Sequence, residues 1–427
     1  MVSQELVVQK ILAFLNGEMS ERDLVHRAED AWVELSEGDL DVPNEEAVSE
    51  TLMYVGAGDQ PGFPLTWSAL SSLPKAPGCN SASERRGSLT ELRFAVFGAG
   101  FWAQYQLAGW RELEGARCVA IYNRTPAKAE ALARRFGVPA VYADAEELLR
   151  RERPDFVDVI TSVETHAPLV HLAARHGVPV ICQKPMATTL PEAEGMVAAC
   201  REAGVSFFVH ENWRWQTPIR ALRRALDSGA IGRPFRARLD FVYSFPVFDN
   251  QPFLKELDQF ILTDMGSHIL DVARFLFGEA SSLYCQAQRI HGDIRGEDVV
   301  TVVMRMGSAT VVCNLSYASP REDERYPQTY AFVEGEKGSA ELGPDYCLRV
   351  TTAAGTEASR HAPPSYAWAN PLYDVVHASI VACNANILSA LRGEGQAETT
   401  GADNLRTVRL VFASYDSTAR DEVVHPG

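Results

Sequence analysis

The chain has 427 residues, 46% hydrophobic and 22% charged, a composition typical of a globular protein with two or three domains. No apolar run approaches the ~20 residues of a membrane-spanning helix, and the formal net charge of −16 argues against a nucleic-acid-binding surface. We therefore expect neither a membrane nor a nucleic acid as a partner. The eight cysteines are scattered without a C-x-x-C pair, which predicts buried free thiols in the reducing cytoplasm rather than disulfides or a metal site.

The start of the chain predicts a small acidic helical domain over residues 1–72. Residues 6–15 and 20–32 have the apolar spacing and the terminal residues of two helices. Residues 1–90 contain 15 acidic and 6 basic side chains, so −9 of the net charge falls in this part of the chain. Residues 73–90 are rich in Ser, Pro and Gly, which indicates a flexible linker. We interpret the helical domain either as an interaction or oligomerisation module or as an appendage packed on the body.

Beyond this linker, predicted strands and helices alternate. The strands are expected at 92–97, 117–122, 156–161, 178–182 and 205–210. The helices are expected near 101–113, 126–136, 144–151, 166–176 and 189–203. This βαβ order predicts a Rossmann domain over residues 91–215, a doubly wound parallel sheet with right-handed crossovers.

The first strand and helix of this domain are joined by a G-x-G-x-x-A turn. Gly98 permits the tight turn, and Gly100 lets the backbone approach a pyrophosphate. Ala103 keeps the helix close to the strand, while Phe101 and Trp102 open the helix N-terminus that would bind the phosphates. The alternative is an ordinary glycine-rich turn, but the strand–turn–helix context favours a dinucleotide site.

The second strand ends in Asn123-Arg124-Thr125, at the place where an acidic residue would bind the adenosine ribose and repel a 2′-phosphate. Asn123 carries no charge, and Arg124 can contact a phosphate or stack on adenine. We therefore expect NAD(P) as the cofactor, with NADP favoured over NAD.

After residue 215 the pattern becomes that of an α+β domain, which we place at 216–427. Residues 235–243 alternate between apolar and polar side chains, as in a half-buried strand. Residues 299–306 and 310–317 form a predicted hairpin around Gly307-Ser308. We expect an open, mostly antiparallel sheet with helices on one face. These helices are expected at 263–277, 371–392 and 402–418.

Two polar features stand out against these apolar elements. Lys184 follows the buried strand 178–182, so it lies at the carboxyl edge of the parallel sheet, where such sheets bind ligands. Asp264, His268 and Asp271 are spaced by four and three residues, which places them on one stripe of a helix. The plain alternatives are an ordinary strand-end lysine and a solvated stripe with one buried histidine.

The motifs from about residue 91 to the C-terminus, taken together and in their order along the chain, resemble those of the glucose-fructose oxidoreductase / inositol dehydrogenase / MocA family of nicotinamide-dependent oxidoreductases. Gln183-Lys184-Pro185 is similar to its E-K-P motif, residues 161–166 to its T-P-x-x-x-H motif and residues 264–271 to its D-x-x-x-H-x-x-D helix. Residues 334–342 are similar to the G-x-x-G-S-x-x-L turn of its second domain.

Within the family, the run 210–216 together with Gln183 is most similar to a sugar-dehydrogenase branch that includes D-apiose dehydrogenases. Two residues depart from the family pattern, because Gln183 stands where glutamate is usual and Ser162 stands where proline is usual. Contacts to ribose hydroxyls would then come from a neutral amide.

The resemblance implies an NAD(P)-dependent oxidoreductase that transfers hydride between nicotinamide and a hydroxyl or carbonyl carbon of a sugar, polyol or related cyclic substrate. His268 is the expected general base, because its unperturbed pKa lies near neutrality. Lys184 is expected to hold and polarise the same substrate oxygen. Asp264 is expected to orient the imidazole or to bind a second hydroxyl, and Asp271 either to bind substrate or to serve only the fold.

By the same resemblance, further residues contact the cofactor. His166 and Asn212 are expected at its nicotinamide end, and the remaining contacts are expected from Thr125, Thr161, Gln183 and Lys184. The open face of the second sheet implies a homodimer or homotetramer. The alternative function is a non-catalytic dinucleotide-binding sensor, and a third possibility is an enzyme that never releases its cofactor and shuttles hydride between two sugars.

Overall fold

The computed structural model describes residues 91–322 and 325–426. The predicted acidic helical domain at 1–72 and the linker at 73–90 lie outside the described residues.

The first sheet has six parallel strands in the order β3-β2-β1-β4-β5-β6, which confirms the predicted doubly wound sheet. Its strands are β1 (Leu92–Phe97), β2 (Ala116–Tyr122), β3 (Ala140–Tyr142), β4 (Phe156–Val159), β5 (Val180–Gln183) and β6 (Phe207–His210). The helices between them are α1 (Ala103–Arg111), α2 (Pro126–Phe136), α3 (Ala145–Glu152), α4 (His166–Arg175) and α5 (Leu190–Glu202). The sequence did not predict β3, because this strand has only three half-buried residues at the edge of the sheet.

Local sequence explains where several of these helices begin and end. The Asp144 side chain accepts a hydrogen bond from the Glu147 N–H at the start of α3, and Thr189 caps α5 through the Glu192 N–H. Gly137 ends α2 in the left-handed conformation at φ 67°. These caps lie beside the helix bounds expected from the sequence.

The second sheet has eight strands in the order β14-β13-β12-β11-β7-β10-β9-β8. Its strands are β7 (Pro234–Val242), β8 (Ala280–Gln288), β9 (Val299–Met306), β10 (Ala309–Ser316), β11 (Tyr330–Gly335), β12 (Gly338–Leu342), β13 (Cys347–Thr352) and β14 (Gly355–Arg360). Every neighbouring pair is antiparallel except β7 with β10. The predicted open, mostly antiparallel sheet is confirmed.

Helices cover one face of this sheet and also return to the first domain. They are α6 (Thr217–Asp227), the short α7 (Val247–Asn250), α8 (Ser267–Phe277), α9 (Asp374–Leu391) and α10 (Gly401–Arg420). The α9 helix packs on α1, where His377 stacks on Tyr105 at 4.4 Å between ring centroids, and α10 packs on α5. The two late helices therefore hold the second domain against the first.

Among the described residues, one helix, Pro371–Leu391, is long and apolar enough to cross a membrane. Of its apolar window, 61% is buried inside the protein. This burial is typical of a core helix, and it agrees with the packing of α9 on α1.

The segment before α8 corrects one sequence-based expectation. Residues Leu262–Gly266 form a π-helical turn, and the α-helix begins only at Ser267. Asp264 therefore lies in a π-helical turn, whereas His268 and Asp271 lie in the regular α-helix.

Candidate active site

The carboxyl ends of the parallel strands border a cleft of about 650 Å³. Its position is the one where doubly wound sheets bind nucleotides. The predicted cofactor residues that line it are Gly98, Gly100, Phe101, Trp102, Asn123, Arg124 and Thr161. Its lining does not include Ala103, Thr125, His166, Gln183, Lys184 or Asn212.

The glycine turn has the geometry that a pyrophosphate requires. Gly98 has φ +117°, and a Cβ there would lie 2.3 Å from the Ile160 carbonyl oxygen. A Cβ at Gly100 would meet no atom within 4 Å, because this residue faces the open cleft. The α1 helix follows with no side-chain cap at Trp102. The Ala103 and Tyr105 N–H groups donate to the Gly100 and Trp102 carbonyl oxygens, and the positive end of the helix dipole can still attract an anion. The turn therefore fits the phosphates of a dinucleotide.

Asn123 supports this turn from the second strand. Its Oδ1 accepts a hydrogen bond from the Ala99 N–H at 3.1 Å, and its Nδ2 donates to the Thr125 carbonyl oxygen at 2.9 Å. Thr125 contributes its backbone and begins α2, while Arg124 faces the cleft beside Asp144. The oxygen and the nitrogen of the Asn123 amide are thus both hydrogen-bonded within the protein.

His166 connects the segment after β4 to the turn after β5. Its Nδ1 lies 3.1 Å from the Pro185 carbonyl oxygen, and its Nε2 lies 3.2 Å from the Thr161 carbonyl oxygen. The ring is buried, and burial lowers the pKa of His166. A neutral imidazole has one N–H, so His166 donates to one of these two carbonyl oxygens and packs between the two strand ends beside the cleft.

Gln183 is directed into the core by a chain of hydrogen bonds. Its Nε2 donates to Gln106 Oε1 at 3.2 Å, and Gln106 Nε2 donates to Asp158 Oδ2 at 3.2 Å. Trp110 Nε1 donates to the same carboxylate oxygen at 2.8 Å. Burial raises the pKa of Asp158 to about 7. No local pattern in the sequence indicated this network, because its members come from three separate elements.

Lys184 and Asp264 form an ion pair at the edge of the first sheet. Lys184 Nζ lies 2.8 Å from Asp264 Oδ1 and 3.1 Å from the Asp264 carbonyl oxygen. The lysine and aspartate side chains are 21% and 22% exposed, so both remain accessible to a ligand. The Asp264 carboxylate is therefore paired with Lys184, and its charge also favours a proton on His268.

His268 is bound by a residue that the sequence reasoning had not assigned to the site. Its Nδ1 is hydrogen-bonded to Glu211 Oε1, and its ring stacks on Trp213 at 4.2 Å. Burial, and then the charge of Lys184, lower the pKa of His268 well below its usual range. One signal could have identified Glu211: it directly follows a buried strand of the same sheet, as Lys184 does.

Asp271 and Asn212 both form hydrogen bonds in the protein interior. Asp271 is fully buried, and it accepts hydrogen bonds from Arg214 Nε at 2.7 Å and from Thr407 Oγ1 at 3.0 Å. Asn212 Nδ2 donates to Ser379 Oγ at 2.8 Å. For Asp271 this geometry favours the role in the fold over substrate binding. For Asn212 it favours a contact between the end of β6 and α9.

Aromatic side chains form a wall next to Asp264. Phe245 and Tyr326 stack at 3.8 Å, and Tyr373 packs edge-on against Tyr326 at 6.0 Å between ring centroids. Burial, and to a lesser degree the charge of Asp264, raise the pKa of Tyr317 well above its usual range. The site thus combines a charged edge with packed aromatic side chains, and polar groups among apolar side chains are common in sites for small ligands.

Comparison with known proteins agrees with this geometry. Residues 92–211 match the model of the oxidoreductase family with an NAD-binding Rossmann fold, and residues 219–341 match the GFO/IDH/MocA C-terminal domain. The chain belongs to the GFO/IDH/MocA family of oxidoreductases. The resemblance inferred from its motifs is confirmed.

Two curated members of the GFO/IDH/MocA family cover most of the chain. A D-apiose dehydrogenase from Paraburkholderia graminis is 43% identical over 338 residues, which are 79% of this chain and 90% of that protein. A D-apiose dehydrogenase from Rhizobium rhizogenes is 39% identical over 341 residues, which are 80% of this chain and 99% of that protein.

A solved structure of the family has the same fold. It is an oxidoreductase from Agrobacterium radiobacter in complex with NAD⁺, L-tartaric acid and magnesium. It is 40% identical with a TM-score of 0.78, and the match covers 79% of this chain and 99% of that one.

Proposed function

We propose that this oxidoreductase is an NAD(P)-dependent dehydrogenase that oxidises a CH–OH group of a sugar or polyol. The observation that carries the proposal is that the Lys184–Asp264 pair and His268, which is bonded to Glu211, lie where β5 and β6 end side by side. A positive charge and a neutral imidazole next to a dinucleotide-shaped cleft are the two groups that the oxidation of an alcohol needs.

In the proposed reaction Lys184 Nζ binds the substrate oxygen and stabilises the negative charge that develops on it. His268, kept neutral by its surroundings, accepts the hydroxyl proton. Asp264 holds the ammonium in place and is available to a second hydroxyl. When bound, the oxidised nicotinamide supplies the acceptor for the hydride of the substrate carbon.

The cofactor contacts proposed here come from the glycine turn and from the strand ends around it. Gly98, Gly100 and the first turn of α1 hold the pyrophosphate, and Arg124 lies at the adenosine end. Thr161 lines the cleft, and we propose that His166, Gln183 and Asn212 act behind it, a role that their hydrogen bonds within the protein support.

We propose a sugar as the substrate, with D-apiose as the first candidate, because two relatives named for that activity are 43% and 39% identical to this chain. The aromatic wall of Phe245, Tyr326 and Tyr373 suits the apolar face of a sugar ring, and the charged edge suits its hydroxyls. Retention of Lys184 together with His268 favours catalysis over a non-catalytic sensor.

The deciding experiment is a turnover assay on the purified full chain. D-apiose, other pentoses, hexoses and inositols are supplied with NAD⁺ or NADP⁺, and the reduced-nicotinamide absorbance is followed. We expect reduction with at least one sugar, at a rate that falls roughly 10²–10³-fold in Lys184→Met. No reduction with any sugar or polyol of the panel would contradict the proposal.

We also propose that NADP is used in preference to NAD, since Asn123 is uncharged and Arg124 lines the cleft. The Agrobacterium radiobacter relative was solved with NAD⁺, which makes NAD the alternative. Comparing kcat/KM for the two cofactors decides between them.

For organisation, we propose the four segments derived from the sequence: a helical domain at 1–72, a linker at 73–90, the Rossmann domain at 91–215 and the α+β domain at 216–427. We propose a homodimer or homotetramer through the open face of the eight-stranded sheet, which exposes Val303, and light scattering of the full chain tests it. We propose a cytoplasmic location, because all seven cysteines in the described part of the chain are free thiols.

A further inference from the structure

Glu211 lies where two strands of the Rossmann sheet end side by side. Strand β6 pairs with β5 so that His210 faces Gln183, and the next residues along the two strands are Glu211 and Lys184. The Glu211 side chain is fully buried. Its Oε1 accepts a hydrogen bond from the Trp213 N–H at 3.3 Å, which fixes the carboxylate.

The same oxygen contacts His268 Nδ1. Because a carboxylate accepts and does not donate, Nδ1 carries the proton of the neutral ring, and Nε2 keeps its lone pair. The indole of Trp213 stacks on the imidazole at an interplanar angle of 23°. Glu211 and Trp213 together therefore set both the tautomer and the plane of the ring.

A comparison with Asp271 distinguishes this carboxylate from a structural one. Asp271 is also fully buried, but both of its oxygens are bonded to cations or hydroxyls, from Arg214 and Thr407. Glu211 Oε2 is buried and has no hydrogen-bond partner among the described residues. Burying a carboxylate that has only one hydrogen-bonded oxygen costs free energy. A role in positioning His268 explains why Glu211 is nevertheless buried.

Several charged or titratable groups face this pair from the elements around it. They are Lys184 from β5, His210 and Arg214 from the end of β6, Asp264 and Asp271 from the helix of His268, and Cys383 from α9. Lys184 disfavours a proton on His268, whereas Asp264 and Asp271 favour one. Glu211 is the carboxylate in direct contact with the imidazole.

We propose that Glu211 is a positioning residue for His268, holding the Nδ1–H tautomer and stabilising the imidazolium that forms during oxidation of the substrate. The inference rests on the proposed dehydrogenase function. The hydroxyl proton moves to Nε2, the carbon–hydrogen electron pair leaves with the hydride to the oxidised nicotinamide, and the substrate keeps a C=O bond. Burial raises the pKa of Glu211 to about 7 and lowers that of His268, so above neutral pH a carboxylate faces a neutral imidazole.

The test combines kinetics with a spectroscopic measurement on Glu211→Gln. We expect kcat to fall roughly 10²-fold. The KM values for sugar and cofactor should stay within about threefold, because the substitution does not change the contacts that bind them in the ground state. Removing the negative charge of Glu211 lowers the pKa of His268. The acid limb of the pH profile of kcat/KM therefore moves to lower pH.

The spectroscopic arm does not depend on turnover. Long-range ¹H–¹⁵N correlation of ¹⁵N-histidine-labelled protein is expected to show the Nδ1–H tautomer of His268 in the wild type and its loss or mixing in Glu211→Gln. The matched control is Asp298→Asn, which neutralises another fully buried carboxylate bonded to a histidine, His291. It is expected to leave kcat, the acid limb and the His268 signal unchanged.

An Nε2–H tautomer of His268 in the wild type would overturn the inference, even if the variant failed to fold. An unshifted acid limb and an unchanged His268 signal in a folded Glu211→Gln would also overturn it. Absence of wild-type turnover on the sugar panel would contradict the proposed function instead, and the tautomer measurement would still decide the role of Glu211.

Discussion

Replacing Lys184 by methionine removes the ammonium group that lies 2.8 Å from Asp264 Oδ1 and keeps a side chain of similar length. In the proposed reaction this charge acts on the substrate oxygen as negative charge develops there. Loss of one preorganised electrostatic group of this kind costs about 3 kcal/mol in the transition state, or roughly 10²–10³-fold in kcat. The ion pair is about one-fifth exposed, so solvent screens it only in part. Affinity for the cofactor should change by less than about threefold, because Lys184 does not line the cleft.

The pH profile of Lys184→Met provides a second, independent readout. Burial, and then the charge of Lys184, lower the pKa of His268. Without that charge the pKa of His268 rises, more of the base is protonated at a given pH, and the acid limb of kcat/KM moves to higher pH. This direction is opposite to that expected for Glu211→Gln, so the two variants together test whether His268 is the base.

The assay is initial-rate kinetics over a pH series, with cofactor affinity measured separately by fluorescence titration. Lys337→Met is the control, because this exposed lysine lies in the turn between β11 and β12. It should retain wild-type kcat and the wild-type pH profile. A Lys184→Met variant with turnover within about threefold of the wild type would refute the assignment of this lysine.

Three further changes test other parts of the structure. Gly98→Ala should weaken cofactor binding at least ~10-fold and lower the Tm, since a Cβ would lie 2.3 Å from the Ile160 carbonyl oxygen at a positive φ; unchanged affinity in a titration would contradict the fit of this turn to a dinucleotide. Asn123→Asp should lower the NADP-to-NAD ratio of kcat/KM by roughly 10-fold, and a ratio that does not fall would show that this turn is not the adenosine end of the site. Deleting residues 1–88 should leave a folded, active dehydrogenase, because the family match begins at residue 92, whereas an insoluble or inactive product would show that the proposed domain division is wrong.

Local patterns in the sequence were sufficient to predict five of the six strands of the first sheet and three of the eight strands of the second sheet. The apolar strands, the G-x-G-x-x-A turn and the alternating residues of β7 express periodicities that are set by neighbours a few positions away. The position of Lys184 after a buried strand likewise predicted its place at the carboxyl edge. The short edge strand β3 was missed because three half-buried residues carry too little periodicity to be distinguished from a loop.

Only the tertiary structure decided the partners within the site. The Glu211–His268 contact spans 57 positions and the Lys184–Asp264 contact spans 80 positions, and no local spacing encodes either one. The sequence alone also predicted a regular helix where Leu262–Gly266 form a π turn. Asp264 pairs with Lys184, His268 with Glu211 and Asp271 with Arg214, so three residues that the sequence placed on one stripe have three different partners. Sequence periodicity thus determined which elements form and which edge carries the site, whereas long-range packing determined which polar groups meet there and which of them are desolvated.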